Sequence, residues 1–112
     1  MDIELRSQEQ VKLIKLRGKL ALGDAVDRLR DTLNNLIDNG DSRIVLDLAE
    51  VPMIDSSGIG LLVKSLTTAK QRGGAIRLLS PSKFTVQTLK MIGLIKLFEI
   101  FDDPQQAVAS FS

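Results

Sequence analysis

The chain has 112 residues, 44% of them hydrophobic, with a formal net charge of +1 and neither cysteine nor histidine. That length suits one core and one domain over residues 1–112 and is short for two. The missing thiols and imidazoles exclude disulfides, Cys or His metal sites, and Ser-His-Asp or Cys-His catalysis.

Ile3 to Gln8 and Val11 to Arg17 are strand-like runs separated by Glu9-Gln10, a hairpin pattern without the favoured Asn-Gly turn. Gly18 breaks the alternation. From Asp24, placed as an N-cap, Val26, Leu29, Leu33, Leu36 and Ile37 recur at helical spacing, and Gly40 stands just past the end. Arg43 to Leu48 holds the short, nearly all-apolar run Ile44-Val45-Leu46-Asp47-Leu48, expected of a central strand covered on both faces. Ile59, Leu62, Val63, Leu66 and Ala69 form a second helical stripe, closed by Gly73-Gly74. Ala75 to Leu79 is the next strand. Ser80-Pro81-Ser82 offers a cap and an N1-type proline for a helix through Phe84, Val86 and Leu89, reaching as far as Met91 and ended by Gly93. Leu97 to Phe101 reads as a last strand, and Asp102-Asp103-Pro104 starts a terminal helix through Ala107, Val108 and Phe111.

The order ββαβαβαβα predicts an α/β fold. Helix-linked strands run parallel and the opening hairpin adds an antiparallel pair. The expectation is a mixed four- to five-stranded sheet with its helices packed mainly on one face. Met1 to Glu4 lacks the pattern of a secretion signal, and no apolar run reaches the roughly 18 residues of a membrane span. A cytoplasmic protein without membrane insertion is expected.

Charge is unevenly distributed. Residues 56–98 carry Lys64, Lys70, Arg72, Arg77, Lys83, Lys90 and Lys96 and no acid at all. These are either solvated heads on several elements or a surface that meets an acidic partner. Nucleic acid is not expected, because four Phe with no Trp or Tyr leave few stacking platforms.

The stretch Ile54-Asp55-Ser56-Ser57-Gly58-Ile59-Gly60 falls beyond the C-terminal end of the central strand and at the start of a helix. Open α/β sheets commonly place ligand or partner sites there. Unpaired N–H groups and the positive end of the helix dipole gather at that point, and either Asp55 or Ser56 can cap them. Gly58 and Gly60 each cost about 1 kcal/mol in a helix, so a bare backbone serves close packing or close approach by another molecule. Leu61 lies roughly opposite the apolar stripe, on the side expected to face away from the core. Two hydroxyls exceed what capping needs. Together these features suggest a contact surface of Asp55, Ser57, Gly58, Gly60 and Leu61 around Ser56. No nucleophile elbow or P-loop is present, Gly58-Ile59-Gly60 is only a fragment of a dinucleotide fingerprint, and neither an enzyme nor a cofactor is expected. A serine here can instead be phosphorylated, adding about −1.5 to −2 charges that the dipole favours and Asp55 opposes.

The run IVLDLAEVPMIDSSGIGLLVKSLTTAKQRGGAIRLL resembles the STAS domain, in particular the bacterial anti-sigma factor antagonists, and LKMIGLIKLFEIFDDPQQAV resembles the family's C-terminal half. The resemblance implies a cytoplasmic regulatory module, a monomer or weak dimer, that works by partner switching. It would capture an anti-sigma factor, often itself an ATP-dependent serine kinase, and free a sigma factor for transcription. The kinase would inactivate the module by phosphorylating the serine directly after the Asp, which is Ser56. The resemblance makes Ser57 a neighbouring cap hydroxyl and Asp55 a residue that orients the site. The chain departs from the family at Gly18-Lys19-Leu20-Ala21, where the family often carries an acid at the place of Ala21. The alternative is a STAS subunit of a transport or lipid-trafficking complex that is never phosphorylated.

Overall fold

In the computed structural model, which describes residues 1–112, β1 (Asp2–Gln8) and β2 (Val11–Arg17) form an antiparallel hairpin with Gln8 opposite Val11. Glu9 and Gln10 both take positive φ, 50° and 66°. A two-residue type I′ turn requires that conformation, and Asn-Gly supplies it at less cost. From β2 onward the neighbours are parallel: β3 (Arg43–Glu50), β4 (Ala75–Leu79) and β5 (Ile100–Phe101), in sheet order β1-β2-β3-β4-β5. The helices are α1 (Asp24–Asp38), α2 (Ser56–Gln71), α3 (Lys83–Met91) and α4 (Pro104–Ala109). The chain therefore forms the mixed five-stranded α/β domain expected from its element order.

β3 is central and shows why its sequence is nearly all apolar. Ile44, Leu46 and Leu48 point into the large core under α1, α2 and α3, while Val45 points to the other face with Val11, Leu79 and the α4 residues Ala107 and Val108. Both faces of this strand are dry. On the α4 side Arg77 pairs with Glu99 at 2.8 Å, donates to Ser110 Oγ at 3.1 Å and stacks on Phe111, so it ties down the C-terminus. The first helix stops at Gly40, whose φ of 91° lets its N–H donate to Ile37 O while the Asp41 N–H donates to Leu36 O. Gly73 and Gly93 end α2 and α3 in the same way.

Several local expectations are corrected. Asp24 is the first helical residue, not the cap; Gly23 holds the cap position without a side-chain bond. Ser82 caps α3, accepting from Thr85 N at 3.1 Å, so Pro81 precedes the cap; the N1 proline is Pro104, after the cap Asp103. The last strand is only Ile100–Phe101, because Ile95–Leu97 winds into a 3₁₀ turn, and Phe111 lies past the end of α4.

The largest correction is Leu61. It is buried in the main core instead of facing outward. α2 lies on the sheet and is also flanked by α1, so its buried arc is wider than one stripe and runs from Leu61 through Ser65 and Leu62 to Ile59. Burial removes Leu61 from the set of residues a partner can touch. We expect Leu61→Ala to cost about 2–5 kcal/mol in chemical unfolding, as for a core leucine; a loss under about 0.5 kcal/mol would place the side chain back at the surface.

Candidate functional site at the start of α2

Two loops meet beyond the C-terminal ends of β2 and β3. Leu20 N donates to Met53 O and Asp55 N donates to Leu20 O, both at 3.1 Å, so the segments following the two strands pair as a short parallel bridge between Leu20 and Ile54. The Asp55 carboxylate then locks this junction. Its Oδ1 accepts from Gly58 N and its Oδ2 from Leu22 N, each at 2.9 Å. One side chain thus caps α2 and staples the neighbouring loop. The Leu22 N–H, and next the Gly58 N–H, hold the Asp55 carboxyl below its ordinary range.

The cap settles the choice left open between Asp55 and Ser56, and it corrects Ser57, which is half-buried on the second helical residue and does not cap. Ser56 is the first helical residue and is exposed. Its hydroxyl sits at the positive end of a 16-residue helix and is not needed to satisfy the helix terminus.

The two glycines serve different ends. A Cβ on Gly58 would lie 2.7 Å from Ile54 Cγ2 and 2.8 Å from Leu20 O, so the bare backbone there admits the neighbouring loop. Gly58 is buried, and packing within the chain accounts for it. A Cβ on Gly60 would meet nothing within 4 Å, and that residue is exposed. Of the five expected contact residues, only Gly60 is freely exposed; Asp55 and Ser57 are partly so, and Gly58 and Leu61 are buried.

The true outer face of α2 is the exposed line Ser56, Gly60, Lys64, Thr67, spaced by four, four and three residues as one face of a helix requires. It borders an open groove of about 490 Å³ against α3, in which Ile59 and Val63 look across to Thr88 and Ile92 with Leu94 beside them. Sequence reasoning missed this groove. Its signal was a second apolar stripe on α3, Phe84, Met91 and Ile92, at i, i+7 and i+8 beside the buried Thr85 and Leu89. No group of three acidic side chains converges as a metal would require, and no helix is long and apolar enough to cross a membrane.

Two measurements check this geometry. Gly58→Ala should destabilise the fold by about 1–3 kcal/mol through overpacking, whereas Gly60→Ala should be neutral or stabilise it by up to about 1 kcal/mol. The depressed Asp55 carboxyl contributes stability that is present above the unfolded carboxylate pKa of about 4 and is lost as pH falls through the lower folded value. Asp55→Asn should therefore lower the melting midpoint at neutral pH and narrow its gap to the parent below about pH 4; a gap that stays constant across this range would show that the charge contributes nothing.

Comparison with known proteins agrees with this architecture. The family model described as "STAS domain" matches residues 2–107. The anti-sigma F factor antagonist of Paenibacillus polymyxa is 27% identical over 109 residues, covering 96% of this chain and 92% of that protein. The Bacillus cell fate determinant SpoIIAA in its phosphorylated form superposes with a TM-score of 0.79 at 22% identity, covering 99% of this chain and 100% of that one. A sulfate transporter family protein from Wolinella succinogenes superposes at 0.78 with 24% identity, covering 93% of this chain and 86% of that one. The structural likenesses show a shared fold; the sequence match over almost the whole length makes this chain a member of the STAS domain family.

Proposed function

We propose that the protein is a regulatory binding module that sequesters an anti-sigma factor with serine kinase activity, releases a sigma factor, and is switched off by phosphorylation of Ser56. The observation that carries this reading is the division of labour at the start of α2: Asp55 holds the helix terminus and the adjacent loop, and Ser56 stands exposed and uncommitted beside it. A phosphate on Ser56 would add about −1.5 to −2 charges and three acceptors where the helix dipole favours them, without displacing a bond that the fold uses. A partner fitted to the neutral hydroxyl would then face a dianion it cannot pair, and a few kcal/mol suffices to dissolve a micromolar complex. The antagonist of Paenibacillus polymyxa and the phosphorylated SpoIIAA support this reading as relatives.

A second reading, a permanently unmodified subunit of a transport or lipid-trafficking complex, is favoured by two observations. One is the likeness to the sulfate transporter family protein. The other is Ala21, where an acid is missing one residue before the loop position that Asp55 staples.

Incubation with ATP and the serine kinase anti-sigma factor from the same genome separates the two. We expect one phosphate, mapped to Ser56 by mass spectrometry and absent in Ser56→Ala. Ser56→Asp should weaken the complex by at least about tenfold, equivalent to about 1.4 kcal/mol, with an unchanged circular dichroism melt. No phosphate, or phosphate only outside residues 55–58, would favour the second reading.

A further inference from the structure

The two edges of the sheet are built differently. β5 offers only Ile100 and Phe101, whereas β1 runs for seven residues and pairs on one side alone, with β2. An open strand of that length presents unpaired N–H and C=O groups along its free side. Which residues carry them follows from the hairpin. In its type I′ turn the Val11 N–H donates to Gln8 O, and alternation from that pair turns the backbone groups of Gln8, Arg6, Glu4 and Asp2 toward β2. Those of Ser7, Leu5 and Ile3 therefore point outward. The side chains of the same three residues lie on the sheet face covered by α1, α2 and α3, where Ile3 packs against the main core and Leu5 is left 48% exposed.

Charged side chains ordinarily keep such an edge single. Here the charge changes sign along the strand, from Asp2 and Glu4 to Arg6. Arg6 bonds only Glu4, at 3.2 Å, while Glu4 also holds Arg17 at 3.1 Å. Two copies of β1 set antiparallel about a two-fold axis at Leu5 bring Leu5 against Leu5, Ile3 against Ser7, Glu4 against Arg6 and Asp2 against Gln8. The outward groups meet in this register, so the Leu5–Leu5 pair and both Ile3–Ser7 pairs each exchange two N–H···O bonds. A slip of two residues would oppose Glu4 to Glu4 or Arg6 to Arg6, and a slip of one would set outward backbone groups against inward ones. Backbone direction and charge thus select the same register.

We propose that the free edge of β1 pairs with a second copy of this chain, antiparallel and centred on Leu5, joining two five-stranded sheets into one. The inference stands independently of the function proposed above. Leu5, uncovered in the single chain, then covers its own counterpart. Any extended peptide would find the same backbone groups, but only a strand with base and acid in reverse order matches Glu4 and Arg6, and the chain itself supplies one. The interface is isologous, and the short β5 at each outer end gives no comparable edge to grow from, so the assembly closes at two copies. One strand against one strand makes a small interface, so the dimer is weak and forms at high protein concentration. The two-fold axis sets β3 of one copy antiparallel to β3 of the other. The two Ser56 hydroxyls accordingly lie at opposite ends of the joined sheet, and the pairing uses neither.

Sedimentation equilibrium of the full chain from roughly 5 µM to 1 mM reads the association constant. The parent should pass from monomer toward dimer in this range and go no further. Glu4→Arg makes positions 4 and 6 both basic, Arg6→Glu makes both acidic, and each should weaken self-association by about tenfold or more, with circular dichroism melts verifying that both fold. Mixed in equal amounts, the two variants oppose unlike charges at both places and should restore a dimer at least as tight as the parent's. Leu5→Cys, carrying the only thiol in its chain, should cross-link under mild oxidant, because the paired Cα atoms stand about 5.5 Å apart. Ser7→Cys should not, since position 7 faces position 3 and not itself. A parent that stays monomeric throughout overturns the inference and leaves the edge charges as a barrier. Self-association that both charge variants retain, or that their mixture fails to restore, places the contact elsewhere and overturns it too.

Discussion

The carboxylate of Asp55, accepting one N–H from Gly58 and one from Leu22, is the interaction on which the functional end of the molecule depends. It satisfies a helix terminus that would otherwise present unpaired donors, and it fixes the loop after β2 against the loop after β3. The close approach of those loops needs Gly58 to be bare, since any Cβ there would press on Leu20 O and Ile54. Because an ionised side chain already occupies the cap, the next residue is released from structural duty. An exposed hydroxyl on a rigid, dipolar support follows, and a modification there alters the surface without dismantling the support.

That arrangement also divides the motif into an inner and an outer half. Asp55, Gly58, Ile59 and Leu61 hold the start of α2 against the sheet and the neighbouring loop, while Ser56 and Gly60 look outward along a line that continues to Lys64. The outer line forms one wall of the trough against α3. Lys64 on that line makes no ion pair, in contrast to Arg77, which is consumed in holding the C-terminal segment, and to Arg72, which lies near the end of α1. The local excess of positive charge read from the sequence is therefore of two kinds, structural at the arginines and free at the lysines.

How far the fold was legible follows from which forces are local. The alternation in Val11 to Arg17, the doubly apolar run of β3 and the glycines that stop three helices each report a short-range requirement, so element order and sheet type could be read directly. The turn at Glu9-Gln10 was legible only from the spacing of its strands, because its residues do not advertise their left-handed backbone. Leu61 was misread because helical periodicity assumes one covered side, and α1 covers a second. The brevity of β5 escaped notice because a 3₁₀ turn and a strand start share the same apolar residues around Leu97. At the site, the importance of Asp55 and Ser56 was visible. The second duty of Asp55, stapling the loop after β2, depends on a bond from Leu22, 33 positions away, which no local pattern encodes. The uncovered stripe on α3 could be counted in sequence, but which of its two stripes meets the core is decided only by packing.

The central claim is that charge gained at Ser56 changes docking and leaves the scaffold intact. Amide hydrogen exchange on the protein before and after stoichiometric phosphorylation of Ser56 tests it most directly. The account predicts unchanged protection for the Leu22 and Gly58 amides bonded to Asp55 and for the strands β2, β3 and β4, alongside loss of anti-sigma factor binding. Collapse of protection at Gly58 and through the first turns of α2 would contradict it, because the switch would then act by unfolding the site.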